Sequence, residues 1–164
     1  MLAVIGLVIR DGTVLEGLAP HTAWTVAILT GGAVGAAFAG VLWLCRRATA
    51  LRRLESWQQR LVEGWDGTDA AAVALLSGIA EEALMRALLQ PVIGLVPAAV
   101  LFAVLHVVPD RRLWLWPVLA FGMGLVCGWL QVEFGFPAAA AAHTVLNGIS
   151  LTRLRRRRNA TADE

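Results

Sequence analysis

The sequence predicts an all-α integral membrane protein, a polytopic transmembrane helical bundle of about five spans with one amphipathic interfacial helix. Three observations lead there. Of 164 residues, 58% are hydrophobic and 16% charged, and the 16 glycines raise the apolar share to about two thirds, against roughly 45–50% in soluble domains. That composition excludes a disordered or fibrous chain, and a water-soluble globule would need more polar surface. The charges are also segregated: stretches 17–45, 87–109, 113–132 and 134–152 carry none. Finally, lysine is absent and all 14 cations are arginine, grouped in short clusters beside apolar stretches. Clusters so placed suit anionic lipid headgroups rather than nucleic acid.

Residues 1–9 are apolar but too short to cross a bilayer and lack the positive flank of a signal peptide. Arg10-Asp11 ends them, which leaves an interfacial piece or the remnant of a further helix. The first span covers 20–44, with Pro20 suited to a helix's first turn and Trp24 and Trp43 near opposite interfaces. Within 46–66, Leu51, Leu54, Trp57, Leu61 and Trp65 recur at helical spacing among polar residues, the mark of a helix lying in the interface. A second span, 69–89, is long enough to cross yet holds Glu81, Glu82 and Arg86. Gln90-Pro91 marks a tight turn, after which 92–108 and 113–130 form the third and fourth spans. The fifth, 136–151, runs into a basic cytoplasmic tail, 152–164. The whole chain, 1–164, reads as a single membrane-embedded domain.

Five crossings place 12 of the 14 arginines on one side. The positive-inside rule makes that side the cytoplasm, with the N-terminus outside and a bacterial cytoplasmic membrane as the expected location. Gly31/Gly35 and Gly124/Gly128 have the small-xxx-small spacing that lets helices approach closely, and are read as packing devices inside the bundle. Cys45 and Cys127, in apolar surroundings, read as small buried hydrophobes.

Charged side chains near the centre of a span cost roughly 2.5–3.5 kcal/mol each on insertion scales, so they require partners or water. Glu82 and Arg86 are four apart on one helical face and can neutralise each other, whereas Glu81 lies about 100° around the helix without a local partner. An unpaired intramembrane carboxylate is a functional candidate by default. His106 in the third span, and His143 beside Asn147 at i,i+4 in the fifth, are further polar residues in apolar surroundings. Converging on one wet pocket, Glu81, His106, His143 and Asn147 would supply a carboxylate base, an imidazole partner and two donors for a developing oxyanion. That is the inventory for hydrolysing an amide with an activated water. Taken singly, each has a structural explanation: a histidine bonded to a neighbouring helix, a buried ion pair. Depth opposes convergence, because at ~1.5 Å per residue from the inner boundary Glu81 lies at roughly 18 Å and His106 at about 6 Å. Tilt, a late start to the second span or a kink at Pro97 is then required. His21 reads as interfacial, and Ser77 and Ser150 have no base arrangement around them.

Three motifs follow one another on successive apolar spans. Glu81-Glu82-Ala83-Leu84-Met85-Arg86 fits Glu-Glu-x-x-x-Arg, Phe102-Ala103-Val104-Leu105-His106 fits Phe-x-x-x-His, and His143-Thr144-Val145-Leu146-Asn147 fits His-x-x-x-Asn. The ordered trio resembles the CPBP family, the CAAX-protease and bacteriocin-processing intramembrane endopeptidases that include the type II CAAX prenyl proteases. The likeness covers roughly 77–149. It implies that Glu81 is the general base activating water with help from His106, that His143 and Asn147 stabilise the oxyanion, and that Glu82 and Arg86 support the first motif. Members commonly have an aromatic residue before that arginine and a glycine after it, where this chain has Met85 and Ala87. The resemblance implies a glutamic mechanism with no metal or other cofactor, acting on a membrane-associated peptide or protein in the lipid bilayer, with no nucleic acid. One glutamate and two histidines are also zinc-ligand types, but no His-Glu-x-x-His is present and Asn147 is a poor zinc ligand. Two other classes compete: a non-catalytic membrane peptide-binding, immunity or assembly protein, and a small transporter relaying protons through Glu81 and Glu82, for which no inverted repeat is visible. Prenylated tails, bacteriocin leaders and membrane-anchored sorting tails all fit as substrates, and the oligomeric state is open.

Overall fold

The computed structural model describes residues 16–162, so the reading of 1–9 falls outside the described residues. The helices are α1 (Trp24–Leu44), α2 (Thr49–Leu61), α3 (Gly67–Glu82), α4 (Gln90–Ile93), α5 (Leu95–Leu105), α6 (Leu115–Phe134) and α7 (Phe136–Ala162). A π-helical segment, Ala83–Leu89, joins α3 to α4 without a break, and a 3-10 turn, Arg111–Leu113, precedes α6. No strand occurs among the described residues, where Pro20 and Gly135 form an isolated antiparallel bridge.

The bundle is built around α7, against which α1, α3 and α6 pack, while α5 packs on α6. Its interior is made of small residues: Ala27, Ala39, Ala70, Ala74, Ala138, Ala139 and Ala142 are buried, whereas Leu29, Leu76, Leu105, Trp129 and Val132 face outward. In water that distribution would waste the hydrophobic effect. In lipid, helices associate through close backbone contact, so small residues belong between them and large apolar ones against acyl chains. α1 and the stretch Arg111–Phe134 are long and apolar enough to cross a membrane. These two helices and the outward-facing leucines fit an integral membrane protein.

Gly31 and Gly35 are where α1 touches α7. A Cβ at Gly31 would lie 2.0 Å from the Ala138 carbonyl oxygen, and one at Gly35 2.2 Å from that of Ala142. Gly124 likewise meets Ala99, and Gly128 meets Leu95 and Gln90, so both glycine pairs act within the bundle. Because the obstructing atoms are backbone, Gly31→Ala should cost about 1–3 kcal/mol. Thermal unfolding in detergent should show it, against Gly40→Ala, whose Cβ would meet nothing within 4 Å.

Several boundaries differ from the sequence expectation. Pro20 lies before α1, which starts at Trp24 after an extended Ala23. Pro91 does not turn the chain: it sits at the start of α4, and the reversal comes at Gly94, whose φ of 87° favours glycine. The π-helical segment, closed by the Gln90 N–H on the Met85 carbonyl, widens the helix just where the proline takes a backbone donor away. The third expected span is only the 11-residue α5, which rises about 16 Å against a ~30 Å hydrocarbon core. α7 does not stop at 151 but continues to Ala162, since arginine is a good helix former and no breaker intervenes. α2 is amphipathic as expected, burying Leu51 and Leu54, yet Leu61 is exposed and Val62 is buried instead. Cys45 is exposed, while Cys127 is buried with its thiol directed at the Ala139 carbonyl.

The chain passes along the bundle five times in alternating direction. One end carries the Pro20–Gly135 bridge. The other gathers the basic clusters: Arg157 of α7 pairs with Glu55 of α2, and Arg112 shares a pocket with Arg52 and Arg53. α3 starts at this basic end with a capping box in which the Asp66 carboxylate accepts from the Thr68 and Asp69 N–H groups and Asp69 returns a bond to the Asp66 N–H. Those backbone donors, with Asp69 first, hold the Asp66 carboxyl below its usual range. A depressed folded-state pKa stabilises the helix start above the unfolded value, and that contribution is lost as pH falls through the folded one. The protection factors of the Thr68 and Asp69 amides, relative to intrinsic exchange at each pH, should therefore fall at acid pH in the wild type, and be low at every pH in Asp66→Ala.

Candidate active site

The α3–α4 rod and α5 form a hairpin about Gly94. Glu81 lies 13 residues before that glycine and His106 12 residues after it, so both stand at nearly the same height, ~18–20 Å from the turn. The depth conflict expected from the sequence disappears, because the common reference is the Gly94 turn and not a membrane boundary inferred from hydropathy. Glu81 and His106 line one open groove of about 350 Å³ with Met85, Phe102 and Trp116.

α7 approaches the same level from the other side. Gly78 permits this: a Cβ there would lie 2.3 Å from Thr144 Oγ1 and 2.8 Å from the Thr144 nitrogen. The contact brings His143, 61 residues away in sequence, against α3. Its Nδ1 lies 2.8 Å from Glu82 Oε1, and its Nε2 lies 3.9 Å from Glu81 Oε2. Glu82 is fully buried, and its other oxygen accepts from Arg86 Nε at 2.8 Å. Arg86 Nη1 donates to Gln90 Oε1, and Gln90 Nε2 to the Gly128 carbonyl, tying the ladder to α6. An ionised carboxylate only accepts, so Nδ1 of His143 carries the hydrogen and Nε2 is turned toward Glu81. Glu81 itself is 38% exposed on its side chain. It is the one carboxylate of the pair that solvent reaches.

His106 caps α5 and holds its Nδ1 2.8 Å from the Phe102 carbonyl, which leaves Nε2 free of that bond. The Phe102 ring stands between the histidines, 4.5 Å from His106 and edge-on to His143 at 5.8 Å. Asn147, one turn beyond His143, donates from Nδ2 to Ser77 Oγ at 3.0 Å and keeps a second N–H. His106, His143 and Asn147 all line a cavity of about 140 Å³. Its walls are apolar, from Phe38, Leu42, Met123 and Leu146, and its basic end carries Arg153, Arg157 and Glu55. Arg153 Nη2 is buried there without a hydrogen-bond partner.

The structure thus brings Glu81, Glu82, Arg86 and His143 into one connected network, sets His106 in the groove beside Glu81, and puts Asn147 in the cavity next to it. Sequence reasoning missed three contributors. Gln90 extends the 82/86 pair by a further i+4 step, a signal hidden by taking Pro91 as a turn. Ser77 acts as acceptor for Asn147, and Arg153 sits two residues past the expected end of the last span at 151. Among the described residues, no three His, Cys, Asp or Glu side chains are grouped to hold a metal ion.

The type II CAAX prenyl endopeptidase Rce1-like family matches residues 64–149, over half of the chain. The chain belongs to this family. Rce1-like membership implies a membrane-embedded protease acting on peptide substrates, and the matched region runs from the α2–α3 loop to α7, enclosing every side chain of the network above. No curated protein and no solved structure matches the chain.

Proposed function

We propose that the protein hydrolyses a peptide bond of a membrane-associated substrate by glutamate-activated water, with Glu81 as base and a His143/Asn147 oxyanion site. The observation that carries this reading is the split role of the two adjacent glutamates around His143. Glu82, buried and paired with Arg86, holds the Nδ1 side of the ring, and Glu81, open to solvent, faces the Nε2 side.

In this mechanism a water lodged between Glu81 and His106 gives a proton to Glu81 as its oxygen bonds to the scissile carbonyl carbon. The carbonyl electron pair moves onto oxygen, where the second N–H of Asn147 and the His143 ring receive it. The Glu82 carboxylate orients that ring through Nδ1. Collapse of the tetrahedral intermediate breaks the C–N bond, and Glu81 returns its proton to the departing amine. Preorganised donors in an apolar cavity act with little solvent screening. The substrate's apolar segment fills the 140 Å³ cavity. The five passes are read as five crossings within one domain, with the basic end in the cytoplasm.

The test is peptidomics of membranes bearing wild-type or Glu81→Gln protein. New peptide termini should appear with the wild type alone, and identical termini in both would remove the proposal. Asn147→Ala should lower kcat about 10²–10³-fold, as loss of one oxyanion donor does elsewhere. A peptide-binding or immunity protein would instead keep its cellular activity in that variant.

A further inference from the structure

Away from the groove and cavity, the basic end of the bundle holds an open pocket of about 600 Å³ between α2 and the 3-10 turn. Four arginines line it. Arg52, Arg53 and Arg60 come from one side of α2, and Arg112 from the turn. Among the described residues none of the four takes part in an ion pair. The lone carboxylate of the lining, Asp110, is engaged by the Arg112 backbone N–H at 2.8 Å. Four like charges converging on a concave surface repel one another unless an anion joins them, and guanidinium forks match phosphate oxygens two at a time.

The surroundings select the anion's carrier. Two of its lining residues, Asp110 and Leu113, lie in the chain between exposed Leu105 and Val107 on one side and exposed Trp114 on the other. Tryptophan at such a boundary marks headgroup depth, and the apolar residues beside it offer a surface for acyl chains. We propose that this pocket binds the phosphate headgroup of an anionic phospholipid. The opposite face of α2 supplies Leu51, Leu54 and Gln58 to the wall of the 140 Å³ cavity. Trp57, which also lines the pocket, packs against Trp116 with ring centroids 4.9 Å apart and planes tilted by 57°, and Trp116 meets His106 edge-on at 5.6 Å. A headgroup that relieves repulsion along α2 thereby fixes one wall of the candidate active site.

The experiment reconstitutes the full chain in bilayers of equal phosphatidylcholine and phosphatidylglycerol and reads retained lipid by native mass spectrometry. Wild-type protein should retain phosphatidylglycerol selectively, and each of Arg52→Gln, Arg53→Gln and Arg112→Gln should cut that preference about tenfold, the worth of one charge-assisted hydrogen bond. Arg47→Gln, outside the pocket lining, should retain it. All are exposed positions, and circular dichroism checks that each variant is folded. Equal retention of both lipids, or a preference unchanged in the triple variant, overturns the proposal. A thermal midpoint raised as much by inorganic phosphate as by phosphatidylglycerol also overturns it, by assigning the pocket to a soluble anion.

Discussion

Arg86→Met should destabilise the protein by about 3–5 kcal/mol, more than the Gly31→Ala substitution in the α1–α7 contact. Arg86 and Glu82 are both fully buried, 2.8 Å apart. Removing the cation leaves a carboxylate in a low-dielectric interior with only His143 and the Cys127 thiol beside it, and leaves Gln90 Oε1 without its donor. Glu82→Met should do comparable harm by stranding a guanidinium that cannot lose its charge. The double variant Glu82→Met/Arg86→Met should be less destabilised than the sum of the two, because no buried charge is left unpaired. It should nevertheless be inactive, since nothing then holds the Nδ1 side of His143. Thermal unfolding midpoints of the four proteins in one detergent, with turnover measured on the same samples, check both halves. Additive losses would show that the two side chains do not act as a pair.

Much of the site was legible because its parts are local. The Glu82–Arg86 pair follows from i,i+4 spacing alone, and so does the shared face of His143 and Asn147, both of which line the cavity. The bond from His143 to Glu82 was not legible. It spans 61 residues and depends on Gly78 admitting α7 to the backbone of α3, a feature of tertiary packing with no local signature. The helical class and the amphipathic α2 were also readable, because lipid-facing and interface-facing patterns are written in residue type. Element ends were less so. Hydropathy ended the last span at 151 where charge begins, but charge ends an apolar stretch without ending a helix, and α7 runs on to carry Arg153 into the cavity. Likewise Pro91 looked like a turn because its missing N–H should break an α-helix, whereas the π-helical segment before it absorbs the disruption. The difference in depth expected between Glu81 and His106 had another source, an inner boundary inferred from hydropathy in place of the Gly94 turn.

Glu81→Gln should abolish most activity without altering the fold. The side chain is partly exposed, its nearest charged neighbour is His143 at 3.9 Å, and glutamine keeps its shape, so little stability rests on its charge. What disappears is the proton acceptor, and general-base catalysis of this kind contributes about 10²–10⁴ in rate. The contrast with Arg86→Met is the point of the pair: one variant should lose stability and activity together, the other activity alone. The most direct measurement is single-turnover cleavage of a membrane-anchored peptide by purified protein in liposomes, wild type beside Glu81→Gln, with the unfolding midpoint recorded for each. A fall of about 10²–10⁴ in the rate at an unchanged midpoint is the expected result. Equal rates in the two proteins would contradict the assignment of Glu81 as the base.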